Sequence, residues 1–225
     1  MQLQVRRRGL RPGPGVAPLR LGILGGAFNP PHVGHLICAQ EAHAQLGLDR
    51  VALVPVGRAP HRELEQDPGA EVRVALCEAV AAADERLELS RAEVDRPGRS
   101  YMADTLALLR DAAPDDELTL ILGADQAAAL ASWHEPERVL EVARVAVAAR
   151  EGLDREQVTE RLRGLPGAER IAFFDMPRID VSSSLVRERA ASGRPIRYLV
   201  SDAVADLIAA RELYCPPARA RAGHA

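Results

Sequence analysis

Gly25-Gly26-Ala27-Phe28-Asn29-Pro30-Pro31-His32-Val33-Gly34-His35 is the stretch around which the rest of the sequence organises itself. It lies where an apolar run at residues 19–24 gives way to an amphipathic segment at residues 35–46, so it reads as the turn from a strand into a helix. Glycines after a strand let the backbone approach a ligand closely. The helix that follows offers unpaired N–H groups and a partial positive charge to an anion. His32 and His35, three apart at the helix start, can face the same phosphates. The stretch lacks the Gly-Lys-Ser/Thr ending of a P-loop and is not a Gly-x-Gly-x-x-Gly fingerprint. The glycines alone could serve a tight turn and the histidines alone could be core or surface. Their joint occurrence around Phe-Asn-Pro-Pro points to phosphate.

Outward from this turn, short apolar runs alternate with alanine-rich segments charged at helical spacing. Strands are predicted at 19–24, 51–55, 87–94, 118–122, 145–149 and 171–174. Helices are predicted at 35–46, 71–83, 101–110, 136–142, 155–163, 184–192 and 202–210. Such alternation implies β/α units: an α/β fold, a Rossmann-like doubly wound parallel sheet with helices on both faces. Residues 19–214 form one expected domain, between an N-terminal extension (1–18) and a tail (215–225) that are both expected to be disordered. Residues 56–69 are polar, with Pro60 and Pro68, and read as a long binding loop or lid.

At 225 residues with 47% hydrophobic content the chain can bury one sizeable core. The net charge of −3 gives no global attraction to nucleic acid or to an anionic membrane, so any phosphate site must be local. All 29 basic residues are arginine, a bias more readily ascribed to genome composition than to function. Cys38, Cys77 and Cys215 are far apart and lack metal-ligand spacing, which fits a reducing compartment. With no apolar run near ~20 residues and no signal peptide, the expectation is a cytoplasmic protein without a membrane partner. A homo-oligomer is compatible with the sequence.

Two further motifs carry chemistry. Ser182-Ser183-Ser184 precedes a helix and Arg187 follows one turn later. Serines there can simply cap the helix, but together with a guanidinium fork they also suit a triphosphate. Gly123-Ala124-Asp125 follows an apolar run, which places Asp125 at the carboxyl end of a strand, where open α/β sheets bind ligands. Trp133, the single tryptophan, lies among polar neighbours and could stack on an electron-poor ring rather than fill a core.

Taken together, these residues resemble the nucleotidylyltransferase superfamily with its His-x-Gly-His element, and within it the bacterial nicotinate-nucleotide adenylyltransferase family. The similarity runs from about residue 21 to 214. It includes the Arg99-Ser100-Tyr101-Met102-Ala103-Asp104-Thr105-Leu106 run, Pro60-His61-Arg62, Arg73, Arg150 and the closing Arg197-Tyr198-Leu199-Val200 through Leu213-Tyr214. Ala27 and Met102 stand where that family carries hydroxyl residues, and Arg150 is followed by Glu151 rather than Pro-Gly.

The resemblance implies in-line attack of a mononucleotide 5′-phosphate on the α-phosphorus of ATP. His32, His35 and Arg187 would be catalytic. Gly25, Gly26, Ala27, Phe28, His35, Gly123, Asp125, Ser182, Ser183, Ser184 and Arg187 would bind ATP. Asn29, Arg62, Tyr101, Met102, Asp125, Trp133 and Arg150 would bind nicotinate mononucleotide. Mg2+ is expected to ride on the ATP phosphates and water, since no dedicated carboxylate cluster of protein ligands is visible. The competing readings are a pantetheine-phosphate adenylyltransferase, which usually has Thr where His32 stands, and a non-catalytic nucleotide sensor of the same fold. A cytidylyltransferase is disfavoured, because its Arg-Thr-x-Gly-Ile-Ser-Thr signature is missing.

Overall fold

The computed structural model describes residues 18–60, 63–149 and 153–215. Apart from Pro18 and Cys215, the two termini expected to be disordered lie outside the described residues. Six strands form one parallel sheet: β1 (Arg20–Gly26), β2 (Arg50–Pro55), β3 (Leu87–Leu89), β4 (Glu117–Gly123), β5 (Arg144–Ala149) and β6 (Ala172–Asp175). Their order is β3-β2-β1-β4-β5-β6, the doubly wound arrangement expected from the alternating pattern. The helices are α1 (Val33–Leu46), α2 (Ala70–Ala82), α3 (Met102–Ala112), α4 (Ala124–Ala128), α5 (Pro136–Val142), α6 (Leu153–Arg161), α7 (Ser183–Ala191) and α8 (Asp202–Ala210).

Strand side chains alternate between two cores, as the period of two requires. Leu21, Ile23, Ala52, Val54, Leu118, Leu120 and Val145 pack with α3, α5 and α6. Leu24, Val51, Leu53, Ile121 and Ala146 pack on the other face with α1, α2, α7 and α8. Both faces are covered, which is why the strands read as near-continuous apolar runs rather than as half-polar ones. Helix α1 ends at Gly47, whose φ of +63° suits a left-handed cap, and the cap N–H donates to His43 O.

One strand and one helix depart from expectation by more than the one or two residues by which most element ends differ. β3 stops at Leu89 instead of continuing to Val94, because the chain turns after Ser90 donates its N–H to Leu53 O. Arg91 then pairs with Glu71 and Asp95, while Glu93 folds inward. The five-residue α4 was not foreseen. It starts directly at the end of β4 and is too short to show helical periodicity.

The strand order reverses between β1 and β4, so a crevice opens beyond their carboxyl ends, where Gly25-Gly26 and Gly123 lie side by side. That crevice depends on the rigid sheet beneath it. Leu53 is fully buried between β2 and the helices of one face. Leu53→Ala is expected to lower unfolding free energy by about 2–5 kcal/mol. Urea titration measures this, and a cost below about 1 kcal/mol would contradict the packing described.

Candidate active site

The turn from β1 into α1 is held by its carbonyls. Gly26 O accepts from Val56 N–H at 2.9 Å, and Ala27 O accepts from Arg73 Nη1 at 3.2 Å. Asn29 O accepts from Arg187 Nη1 at 3.0 Å, and Pro30 O from the Ser183 hydroxyl at 2.8 Å. These acceptors are therefore turned into the protein, and an anion approaching from the crevice does not meet them. Phe28 adopts a φ of +48°, unusual for a bulky residue, yet it is fully buried and its ring meets His35 edge-on at 5.0 Å. Strain of this kind persists only where neighbours over-determine the conformation.

The histidines meet at the helix start, their ring centroids 3.8 Å apart. The His32 backbone N–H donates to His35 Nδ1 at 3.1 Å. That bond leaves Nε2 as the protonated nitrogen of a neutral His35, a donor on a ring that lines the crevice. His32 Nδ1 is buried with no hydrogen-bond partner among the described residues. Burial lowers His32 to about 4, and burial together with the neighbouring His32 lowers His35 to about 3. Both rings are neutral near pH 7, poised as hydrogen-bond donors rather than as fixed cations.

The crevice encloses about 610 Å³ and straddles the end of the sheet. Gly25, Gly26, Ala27, His32 and His35 form its middle. On the α3 and α5 side it is lined by Tyr101, Met102, Gly123, Asp125 and Trp133. On the α1 and α7 side Ile121, Ala148, Met176, Ile179 and Val181 make an apolar wall. A Cβ at Gly25 would come within 2.7 Å of Met102 Cε, the far end of a flexible side chain, so Met102 packs directly over the bare backbone there.

Ten residues singled out from the sequence thus share one crevice: Gly25, Gly26, Ala27, His32, His35, Tyr101, Met102, Gly123, Asp125 and Trp133. Six others are not among its lining residues. Phe28 and Asn29 are buried, and Ser182 caps α7 by accepting from Leu185 N–H. The Ser183 hydroxyl holds Pro30 O, and the Ser184 hydroxyl accepts from Arg187 Nη2 at 3.1 Å. Arg187 is 7% exposed, reaches Glu65 Oε2 at 3.3 Å, and its Nε is buried without a partner among the described residues. Arg62 and Arg150 lie outside the described residues.

Sequence reasoning missed Glu93 and His134. Glu93 lines the crevice although it is 5% exposed, and burial pushes its carboxyl up against the bonds it makes to Thr105 and Ser100. Ser100 in turn accepts from Gly57 and Arg58 N–H, which ties the chain after β2 to the entry of α3. Gly57 is required there, since a Cβ would sit 2.2 Å from Glu93 O. His134 stacks on Tyr101 with centroids 4.3 Å apart. Both residues come from irregular segments, where no periodicity marks a side chain as inward-facing. The acidic groups of the crevice are Glu93 and Asp125, and no set of three His, Cys, Asp or Glu side chains that could hold a metal ion occurs among the described residues. No helix among the described residues is long and apolar enough to cross a membrane.

The depressed histidines make stability pH-dependent with a definite sign. Below 6.5 the unfolded chain binds protons that folded His32 and His35 refuse until about pH 4 and 3. Stability therefore falls as pH drops through that window. Asp49 and Glu71, held low by their hydrogen bonds to Arg20 and Arg91, act only below the ordinary carboxylate range. The urea midpoint is expected to drop between pH 7 and pH 5, and to drop less in the His32→Asn/His35→Asn double variant. Equal drops would show that the histidines do not carry the effect.

Comparison with known proteins agrees with this geometry. The cytidylyltransferase-like family model matches residues 23–189. "Probable nicotinate-nucleotide adenylyltransferase" of Roseiflexus sp. (strain RS-1) is 43% identical over 196 residues, 86% of this chain and 97% of that protein. The protein of the same description from Rubrobacter xylanophilus is 37% identical over 206 residues, covering 91% and 96%. Among solved structures, Plasmodium falciparum nicotinic acid mononucleotide adenylyltransferase complexed with NaAD superposes with a TM-score of 0.70 at 16% identity, covering 87% of this chain and 97% of that one. That last likeness speaks to the fold alone. The 37–43% identity over nearly the whole length, together with the family model, establishes that the chain belongs to the nicotinate-nucleotide adenylyltransferase family, within the broader cytidylyltransferase-like group.

Proposed function

We propose that this chain transfers the adenylyl group of ATP to nicotinate mononucleotide, giving deamido-NAD and pyrophosphate. The observation that carries the reading is a single crevice in which the phosphate turn, with its carbonyls drawn away, adjoins a wall containing Tyr101 and Trp133. A 5′-phosphate oxygen attacks the α-phosphorus in line. One P–O bond forms as the bond to the bridging oxygen of pyrophosphate breaks. The nucleophile is already anionic, so the chemistry needs no protein base, and catalysis reduces to positioning and charge stabilisation.

In this reading His35 Nε2–H and His32 donate to the α- and bridging phosphate oxygens. The backbone of Gly25–Phe28 holds the α-phosphate, and Arg187 with the three serines supports the β and γ end. The unpartnered Arg187 Nε favours an anionic ligand at that end. The hydroxyls of Ser182 and Ser184 accept bonds within the protein and can still donate to a phosphate, whereas Ser183 would have to share the O–H it gives to Pro30 O. Asp125, exposed at the start of α4, would meet a ribose hydroxyl. The apolar wall of Ile121, Ile179 and Val181 suits a base, and Trp133 suits the pyridine ring. Mg2+ enters as part of the substrate, Mg-ATP. A phosphopantetheine substrate lacks an aromatic ring to place on Trp133, which disfavours that alternative.

Pyrophosphate release measured with nicotinate mononucleotide, nicotinamide mononucleotide and phosphopantetheine tests the assignment directly. His35→Ala is expected to fold, by circular dichroism, and to turn over ~100-fold more slowly, the scale of losing one transition-state donor. Trp133→Ala is expected to raise KM for the mononucleotide far more than KM for ATP. Because Trp133 is the sole tryptophan, emission should also change on adding mononucleotide alone. Nicotinate mononucleotide should exceed the amide at least ~10-fold in kcat/KM, because donors left unpaired by the amide cost about 1–3 kcal/mol. Equal efficiencies would refute the substrate while sparing the adenylyl chemistry.

A further inference from the structure

Asn29 occupies the centre of the phosphate turn yet takes no place on the crevice surface. It is 3% exposed, and its polar atoms are bound from three distant parts of the chain. Its carbonyl accepts from Arg187 of α7, its Nδ2 donates to Glu65 O at 2.8 Å, and its Oδ1 accepts from the Tyr214 hydroxyl at 2.8 Å. Tyr214 lies four residues beyond the end of α8 and 185 residues from Asn29 in sequence.

Two features show that this last contact is built rather than incidental. Tyr214 has a φ of +64° and Glu212 one of +48°, so the turn that delivers the ring uses the left-handed region twice without glycine. Such conformations persist only where the surroundings hold them. The ring packs against the core that also contains Phe28, and Phe28, the residue before Asn29, is itself left-handed at +48°. Burial pushes the Tyr214 phenol up, so its hydroxyl stays protonated and keeps donating throughout the neutral range.

We infer that Tyr214 is a positioning residue for adenylyl transfer, its hydroxyl fixing Asn29 and through it the Phe28–His35 turn that aims the histidine donors at the reacting phosphates. This rests on the phosphate reading of that turn. Tyr214 touches no substrate. Its effect is on where His32 and His35 stand when charge develops, and so falls on the chemical step rather than on capture of the mononucleotide. The mononucleotide's ring is assigned to Trp133 across the crevice, on the side of the sheet that packs with the other core.

Tyr214→Phe in the full-length enzyme removes one oxygen and keeps the packing ring. Turnover at saturating substrates is expected to fall about tenfold, since small misplacements of reacting groups are costly. The dissociation constant of nicotinate mononucleotide, read from Trp133 emission, should stay within about twofold. Incorporating 4-aminophenylalanine at position 214, which retains an N–H donor on the same ring, should recover most of the lost turnover. Turnover of Tyr214→Phe within about twofold of the parent overturns the proposal, whatever the melting temperature does. So does parallel loss of turnover and mononucleotide affinity, the mark of general loosening, and so does failure of the aniline to rescue. His35→Ala, assayed alongside, keeps the two readings apart. Full turnover there would remove the phosphate assignment itself, whereas a slow His35→Ala with a normal Tyr214→Phe would remove only the role of Tyr214.

Discussion

The site depends on the capture of backbone carbonyls by side chains behind the turn from β1 into α1. A strand-to-helix turn carries as many acceptors as donors, and an anion tolerates only the donors. Here Arg73, Arg187 and Ser183 take the carbonyls of Ala27, Asn29 and Pro30, while Val56 N–H takes that of Gly26. Arg73 is 1% exposed and spreads its fork over Val56 O, Gly57 O and Asp67 as well, which binds the turn to the loop after β2. A lysine could not span these acceptors from one planar group. In a chain without lysine most arginines need no special account, but these two are used for their geometry.

The same captures couple the turn to parts of the chain remote in sequence. α7 supplies Arg187 and Ser183, the loop after β2 supplies Glu65, and the segment after α8 supplies Tyr214. Strained conformations collect at this junction, with Phe28 and Tyr214 both left-handed. The stabilising contacts offset that strain, and the result is a preorganised rather than an adaptable turn. Preorganisation suits a reaction whose catalysis rests on donor placement, because no reorganisation is then needed as charge develops. The histidines fit the same logic. Burial keeps them neutral, so they present directed N–H groups without the cost of a buried charge.

The arrangement of the sheet explains why one crevice can hold two unlike partners. β4 sends Ile121 to one core and Leu122 to the other, so the crevice beyond its end meets the chemistry of both faces. One side is an aliphatic wall, while the other carries Tyr101, Trp133 and His134 with the Glu93–Thr105 bond beneath them. The phosphate turn lies between, at the point where the strand order reverses.

Much of this was legible in the residues themselves. Alternating apolar runs and helical periodicity specified an α/β parallel sheet, and six strands fall where the runs were read, because strands covered on both faces must be apolar almost throughout. Glycines and histidines at a strand end marked the turn that lines the crevice, since close backbone approach needs small residues. Tertiary structure alone decided which motif residues face the crevice and which stand behind it. Ser182, Ser183 and Ser184 look alike in sequence, but the fold uses them differently: Ser182 and Ser184 accept from Leu185 N–H and Arg187, while Ser183 donates to Pro30 O. Asn29 looks like a contact residue and is instead a buried junction. Glu93 and His134 join the site from irregular segments, where side-chain direction has no period to betray it, and the closing motif that holds Tyr214 does not reveal its bond to Asn29. Their partners lie 12 to 185 residues away, and contacts of that span exist only once the chain has folded.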